Sequence, residues 1–375
     1  ILGRDSTPIS AGTGKMKKKK KKSTKQKASK VSQILREEGV VKLDGILSAS
    51  SAASLRQEIL KRRDLAYSAV SASSGDDTVW RKYFADVLLK GDLNQRCDLL
   101  LPLKGWRGIQ LALHEIFVSS NLLTNTLIAT LGGDDVTLYE LSALISEPGS
   151  KRQPIHPDNP HQEHPPLLTA FIALQDITEE MGPTTFIPRS HTAQVHAKYN
   201  DVPAGRDELL RQSPSVVALL NAGDASLFDS RSLHCGGANR NTDGEGTTRV
   251  LLYMSFRNPR ATEPIGNVGS IMPDIPRMTL KELRRKLAAA VQNGNPIDPF
   301  DDELEKKNSI RELHLAAEKG DALSQLQIGI NCYLGEGHFD VNLTEAVRWF
   351  ELAAAQGLAQ AQLNLGVCYS TGEGL

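Results

Sequence analysis

Cysteine is scarce in this chain, and long apolar runs are missing. The four cysteines, Cys97, Cys235, Cys332 and Cys368, are widely spaced and form no CxxC pair. That gives no disulfide framework and reads as reduced thiols in an intracellular protein, cytoplasmic or nuclear. No apolar stretch nears the roughly 18 residues that a membrane span needs. Residues Ile1 to Gly14 lack the apolar segment of a signal peptide. Net charge is absent too, with 44 basic and 44 acidic residues. The balance hides an asymmetry. Ten lysines fall between Lys15 and Lys30 with no acidic residue among them. The remainder of the chain is therefore acidic and the tail strongly basic.

What is present divides the 375 residues into four stretches. Residues 1–30 are rich in Gly, Ser, Thr and Lys, hold too little apolar surface to fold, and are expected to be disordered. The lysine run is a solvated tail on the simplest reading. Its functional alternatives are a nuclear-import signal or a contact with nucleic acid or an acidic membrane. Residues 31–260 form the main domain. Helical spacing appears over Ser50 to Ala66 and Trp106 to Ser120. Strands follow at Val136 to Ile145, Leu167 to Leu174, Val216 to Leu219, Ala225 to Phe228 and Val250 to Phe256, after a first one at Val40 to Leu43. Helices first and strands later predict an α+β domain built on a β-sandwich. Residues 261–302, rich in Pro, Gly and Asn around an amphipathic helix at Leu280 to Val291, read as a linker.

Residues 303–375 repeat themselves. Ala317-Glu-Lys-Gly320-Asp-Ala322 recurs as Ala354-Ala-Gln-Gly357-Leu-Ala359, and Leu326, Gly329, Gly335 and Gly337 recur as Leu363, Gly366, Gly372 and Gly374. Such a period means helical hairpins stacked as a solenoid, with glycines at the turns. The stretch resembles Sel-like repeats, relatives of the tetratricopeptide family. Gly366, Tyr369, Gly372 and Gly374 complete their signature; in the earlier copy Cys332 takes the tyrosine position. The resemblance implies a protein-binding surface. The chain opens on Ile1 and stops inside a repeat, so a fragment of a longer product is expected.

The chemistry centres on Gln153-Pro-Ile-His156-Pro-Asp158. In extended backbone, residues two apart point the same way, so His156 and Asp158 can grip one ion. A third ligand is available at His234, after the segment Asp224 to Leu233. Two imidazoles and one carboxylate on one face of an ion leave adjacent sites open, which suits oxygen activation by Fe(II). Arg249 begins the next strand, and its planar guanidinium suits the far carboxylate of a keto-diacid cosubstrate. Gln153 and Thr169 are further candidates for cosubstrate contact. A zinc site on His156, His161 and His164 has no usual spacing; His161 and His164 are expected at a pocket mouth or in solvent.

At these residues the chain resembles the phytanoyl-CoA dioxygenases. Gln153, His156 and Asp158 match their Gln-x-x-His-x-Asp element. Gly182-Pro-Thr-Thr-Phe-Ile-Pro-Arg-Ser-His191 resembles their turn, with Arg189 in place of a glycine. Gly223 to Asp229 and His234-x-Gly-x-x-Asn match the distal histidine segment. The resemblance spans about residues 33–258. It implies a double-stranded β-helix (jelly-roll, cupin-like) oxygenase domain with flanking helices, Fe(II) on His156, Asp158 and His234, and 2-oxoglutarate as cosubstrate, with ascorbate as an accessory. Arg249 lies fifteen residues after His234, so an inserted loop is expected between them. Asp158 argues against a halogenase, since halide takes the place of that carboxylate. Two rivals stand beside a hydroxylase acting on a small molecule, lipid or protein. One is an interaction protein with an inactive oxygenase domain. The other is a cupin-like metal enzyme that does not use 2-oxoglutarate.

Overall fold

The computed structural model describes residues 13–73, 77–85, 95–241, 247–262, 278–292, 300, 310, 313–335 and 339–374. Its strands are β1 (Val40–Leu43), β2 (Arg96–Leu100), β3 (Thr137–Ser146), β4 (Leu167–Ala173), β5 (Thr184–Phe186), β6 (Val216–Val217), β7 (Ala225–Asp229), β8 (His234–Gly236) and β9 (Arg249–Arg257). A six-stranded antiparallel sheet runs β1-β7-β4-β9-β3-β2, and a three-stranded sheet runs β6-β5-β8. The α+β architecture expected from the sequence is present.

Period-two alternation sorts the larger sheet into two faces. Leu168, Ala170 and Ile172 of β4, and Val250, Leu252, Met254 and Phe256 of β9, face outward and share one core with the helices. Phe171, Ala173 and Leu251 face inward and pack with Phe186 and Phe228 in a separate cluster. Each fully buried side chain of this size contributes about 1.5–3 kcal/mol, so register is strongly set: a one-residue slip would exchange the two faces. The helix Ala49–Ala72 covers the outer face. It starts at Ser48, whose Oγ accepts from Ser51 N at 3.2 Å, and buries Leu55 and Ile59.

Two expectations about the flanks need correction. Residues 13–30 are not disordered: a helix runs Thr13–Glu38, while residues 1–12 lie outside the described ones. Lysine is a good helix former, and Ala28, Val31 and Leu35 are buried where this helix meets the helix Leu122–Leu131. That docking offsets the cost of helix nucleation. Nor is the stretch from 261 to 302 wholly a linker. Its helix Leu280–Gln292 packs on the helix Arg107–His114, and Leu283 and Leu287 are fully buried in the main core. Most of the rest of that stretch is outside the described residues, as are residues 242–246 of the expected inserted loop.

The C-terminal region is helical, with helices Ala322–Leu334, Leu343–Ala355 and Ala359–Thr371. Gly335 and Gly357 turn the chain at φ 72° and 85°. Gly329 lies against the Phe350 ring so closely that an added Cβ would sit 2.6 Å from it. This region also touches the sheet. Tyr139 of β3 and Leu167 of β4 share its core. Buried Arg81 reaches Tyr333 Oη at 3.2 Å and Glu373 Oε1 at 3.3 Å, and its guanidinium stacks 4.3 Å over the Tyr333 ring.

Candidate metal centre

His156, Asp158 and His234 converge between the two sheets. Their ligand atoms lie within 4.8 Å of one another, and they are the one such group among the described residues. Backbone pairing brings them together. His156 and His234 form an isolated antiparallel bridge, and Asp158 N donates to Ser230 O at 2.9 Å. Asp158 Oδ1 stands 3.5 Å from His234 Nε2 and 3.9 Å from His156 Nε2.

The donor set fits a metal ion. His156 Nδ1 lies 2.8 Å from Pro154 O, and His234 Nδ1 lies 3.0 Å from Ser232 O. A carbonyl only accepts, so each Nδ1 carries the proton and each Nε2 offers its lone pair inward. Burial pushes the His234 imidazole below the ordinary histidine range, which favours this neutral form. Asp158 Oδ2 is buried with no hydrogen-bond partner. Phe171, Phe186 and Phe228 surround the His234 ring at 6.4, 5.7 and 4.9 Å between centroids.

The three residues line a cavity of about 160 Å³. Gln153 and Arg249 line it as well. Gln153 Oε1 accepts from Gly236 N at 3.0 Å. Arg249 is buried, donates through Nη2 to Ser146 Oγ at 3.0 Å and through Nη1 to Gly182 O, and its Nε has no partner. Burial, reinforced by neighbouring Arg96, pulls the guanidinium down to about 9. Such a group is stabilised by an anion.

Thr169 does not join this end of the site. It is fully buried in mid-β4, opposite Ser255 and Phe228, and is absent from the cavity lining. Thr184 of β5 lines the cavity beside Arg249 instead. His161 and His164 are also outside the lining; the His161 ring lies 5.8 Å from that of His196. Arg189, standing where the family turn has glycine, adopts φ 62° and pairs with Glu38 Oε1 at 2.5 Å. The sequence reading missed Arg96, Ser146 and Tyr253, which line the cavity. Arg96 shares the Ser146 hydroxyl with Arg249, at 2.9 Å. The alternation in Arg96-Cys-Asp-Leu-Leu was the available signal for an inward arginine.

Comparison with known proteins gives the family. The family model for phytanoyl-CoA dioxygenase matches residues 35–245, more than half of the chain, and the chain belongs to that family. It is 25% identical over 261 residues to dioxygenase af480 of Aspergillus fumigatus, covering 68% of this chain and 74% of that protein. It is 27% identical over 228 residues to dioxygenase aneA of Aspergillus aculeatus, covering 58% and 68%. Among solved structures it is similar to the non-heme alpha ketoglutarate dependent epimerase SnoN from nogalamycin biosynthesis, at 19% identity and TM-score 0.44, over 62% of this chain and 84% of that one. The chain is thus a member of a dioxygenase family. No helix among the described residues is long and apolar enough to cross a membrane.

Proposed function

We propose that this protein is an Fe(II)- and 2-oxoglutarate-dependent dioxygenase that hydroxylates a C–H bond, its two facing sheets forming a double-stranded β-helix. One observation carries the reading: the His156–Asp158–His234 group and the buried cation Arg249 share a single cavity. His156, Asp158 and His234 would hold the iron. When bound, the iron would let dioxygen oxidise 2-oxoglutarate to succinate and carbon dioxide, one oxygen atom entering succinate and the other the substrate C–H bond. The Nδ1 bonds of both histidines fix the ring planes, so the ligand geometry is preorganised. Arg249 would pair with the far carboxylate, in a place where burial strengthens the pairing. Ser146 and Gly182 O hold that guanidinium in its plane. Gln153 is anchored through Gly236, which leaves its amide N–H groups for the same ligand.

The test is succinate release from 2-oxoglutarate with Fe(II) and ascorbate, with no added substrate. Turnover above an Asp158→Ala control supports the reading, and none at any iron level rejects it. For the C-terminal helices we carry forward the reading as Sel-like repeats that bind a protein partner. Its support is the period seen from Ala317 to Ala359 together with the helix pairs found there. The lysine run we carry forward as a nuclear-import signal or nucleic-acid contact.

A further inference from the structure

The inward face of the larger sheet is polar at both ends. Cross-strand register puts Arg96, Ser146 and Arg249 in one row at the cosubstrate end. Six residues further along β9, roughly 20 Å at about 3.4 Å per residue, Glu140, Ser255 and Thr169 form another row. Between them lies the row of Ser142, Tyr253 and Phe171. Tyr253 and Phe171 belong to the cavity lining, whereas Glu140, Ser142, Thr169 and Ser255 lie outside it, and Glu140 is joined to it through its hydrogen bond from Tyr253.

Glu140 is buried in an unusual way. Tyr253 Oη donates to its Oε2 at 2.5 Å, and Ser255 Oγ donates to the same oxygen. Among the described residues no cation pairs with the carboxyl, and no other hydrogen bond reaches it. Two further hydroxyls on this face, Ser142 Oγ and Thr169 Oγ1, are buried with no partner. Ser142 is 1% exposed and Thr169 0%. Buried polar groups left without partners each carry a free-energy penalty, and native interiors hold few of them.

We propose that Glu140, Ser142, Thr169 and Tyr253 form a subsite for a protonated amine on the substrate, on the side of the metal ligands away from Arg249. This rests on the oxygenase reading above and deepens it. An ammonium offers three N–H donors. The groups facing it are a carboxylate oxygen and hydroxyls, all able to accept. Its charge would also stabilise the ionised form of Glu140, which burial otherwise keeps protonated. Without a cation, burial pushes the Glu140 carboxyl up to about 8, the behaviour of an acid with nothing to compensate its charge. Thr169, which the sequence aligned with the cosubstrate, would thus serve the substrate instead.

The experiment compares n-butylammonium with n-butanol, matched in size and differing in charge. Each is titrated by calorimetry into the anaerobic protein, with and without Fe(II) and 2-oxoglutarate. The ammonium should bind about ten- to a hundredfold tighter than the alcohol. Glu140→Gln should abolish that preference and leave the 2-oxoglutarate affinity unchanged. Thr169→Val and Ser142→Ala, each deleting one hydroxyl, should each weaken the ammonium severalfold; these keep the test open should Glu140→Gln misfold. Equal binding of amine and alcohol, or a preference that survives all three substitutions, overturns the proposal and leaves ordered water as the occupant. The 2-oxoglutarate titration in the same samples reads the oxygenase assignment separately.

Discussion

His156 and His234 exchange backbone hydrogen bonds, N to O, at 2.9 Å in each direction. The two imidazoles are thus aligned by main chain that no side-chain change removes. Half-exposed His156 and Asp158 can lose their side chains without opening the core. His156→Ala and Asp158→Ala should keep the wild-type melting temperature within a few degrees and lose stoichiometric iron, read by metal analysis after gel filtration. Full iron occupancy in both would move the metal elsewhere.

The helix Thr13–Glu38 should be a structural part of the domain. Leu35 is 2% exposed. Leu35→Ala should cost about 2–5 kcal/mol, the usual range for a buried leucine truncation, as a lower urea midpoint. An unchanged midpoint would mean that the helix is not docked in solution.

Arg81 ties the C-terminal helices to the sheet domain through Tyr333 and Glu373. Arg81→Ala removes a stacked cation and a charged hydrogen bond, together about 1–3 kcal/mol. Amide exchange should speed up in Ala322–Leu334 and Ala359–Thr371 and stay slow in β4 and β9. Uniform protection in the variant would show that Arg81 is not the tie.

Glu140 should leave a pH signature on stability. Its carboxyl is raised by burial to about 8 in the folded protein, from an ordinary 4.5. Between those values the unfolded chain has released the proton and the folded chain still holds it. Stability from this group therefore falls as pH rises from about 5 to 8. Glu140→Gln removes the titration, so its stability relative to wild type should improve across that window. Parallel melting curves for the two proteins from pH 5 to 8 would show that Glu140 ionises normally.

Much of the site was legible because its chemistry is local in sequence. The His156-x-Asp158 spacing needs only extended backbone, and His234 and Arg249 open the consecutive strands β8 and β9, one in each sheet. Long strands such as β3, β4 and β9 carried enough alternation to be read. The three-residue strands β5 and β8 did not, and they are what hold Thr184 and His234 opposite the larger sheet. Depth along a strand is not legible in the sequence: the register of Thr169 with Ser255 sets it six residues along β9 from Arg249. The helical start at Thr13 was hidden because composition reports solubility, while docking by Ala28, Val31 and Leu35 is a tertiary matter.

The central claim is that Arg249 receives a 2-oxoglutarate bound at the His156–Asp158–His234 iron. Anaerobic titration of 2-oxoglutarate into the Fe(II) protein, followed by its metal-to-ligand charge-transfer absorption, measures this directly. Truncating one partner of a buried charged pair costs about 2–5 kcal/mol, or about thirty- to several-thousandfold in affinity. Arg249→Ala should therefore show full iron occupancy with a dissociation constant raised by that factor, and Arg249→Lys should recover only part, since an ammonium cannot make the planar fork. Absence of the absorption in the wild-type protein, or an unchanged constant in Arg249→Ala, would contradict the account.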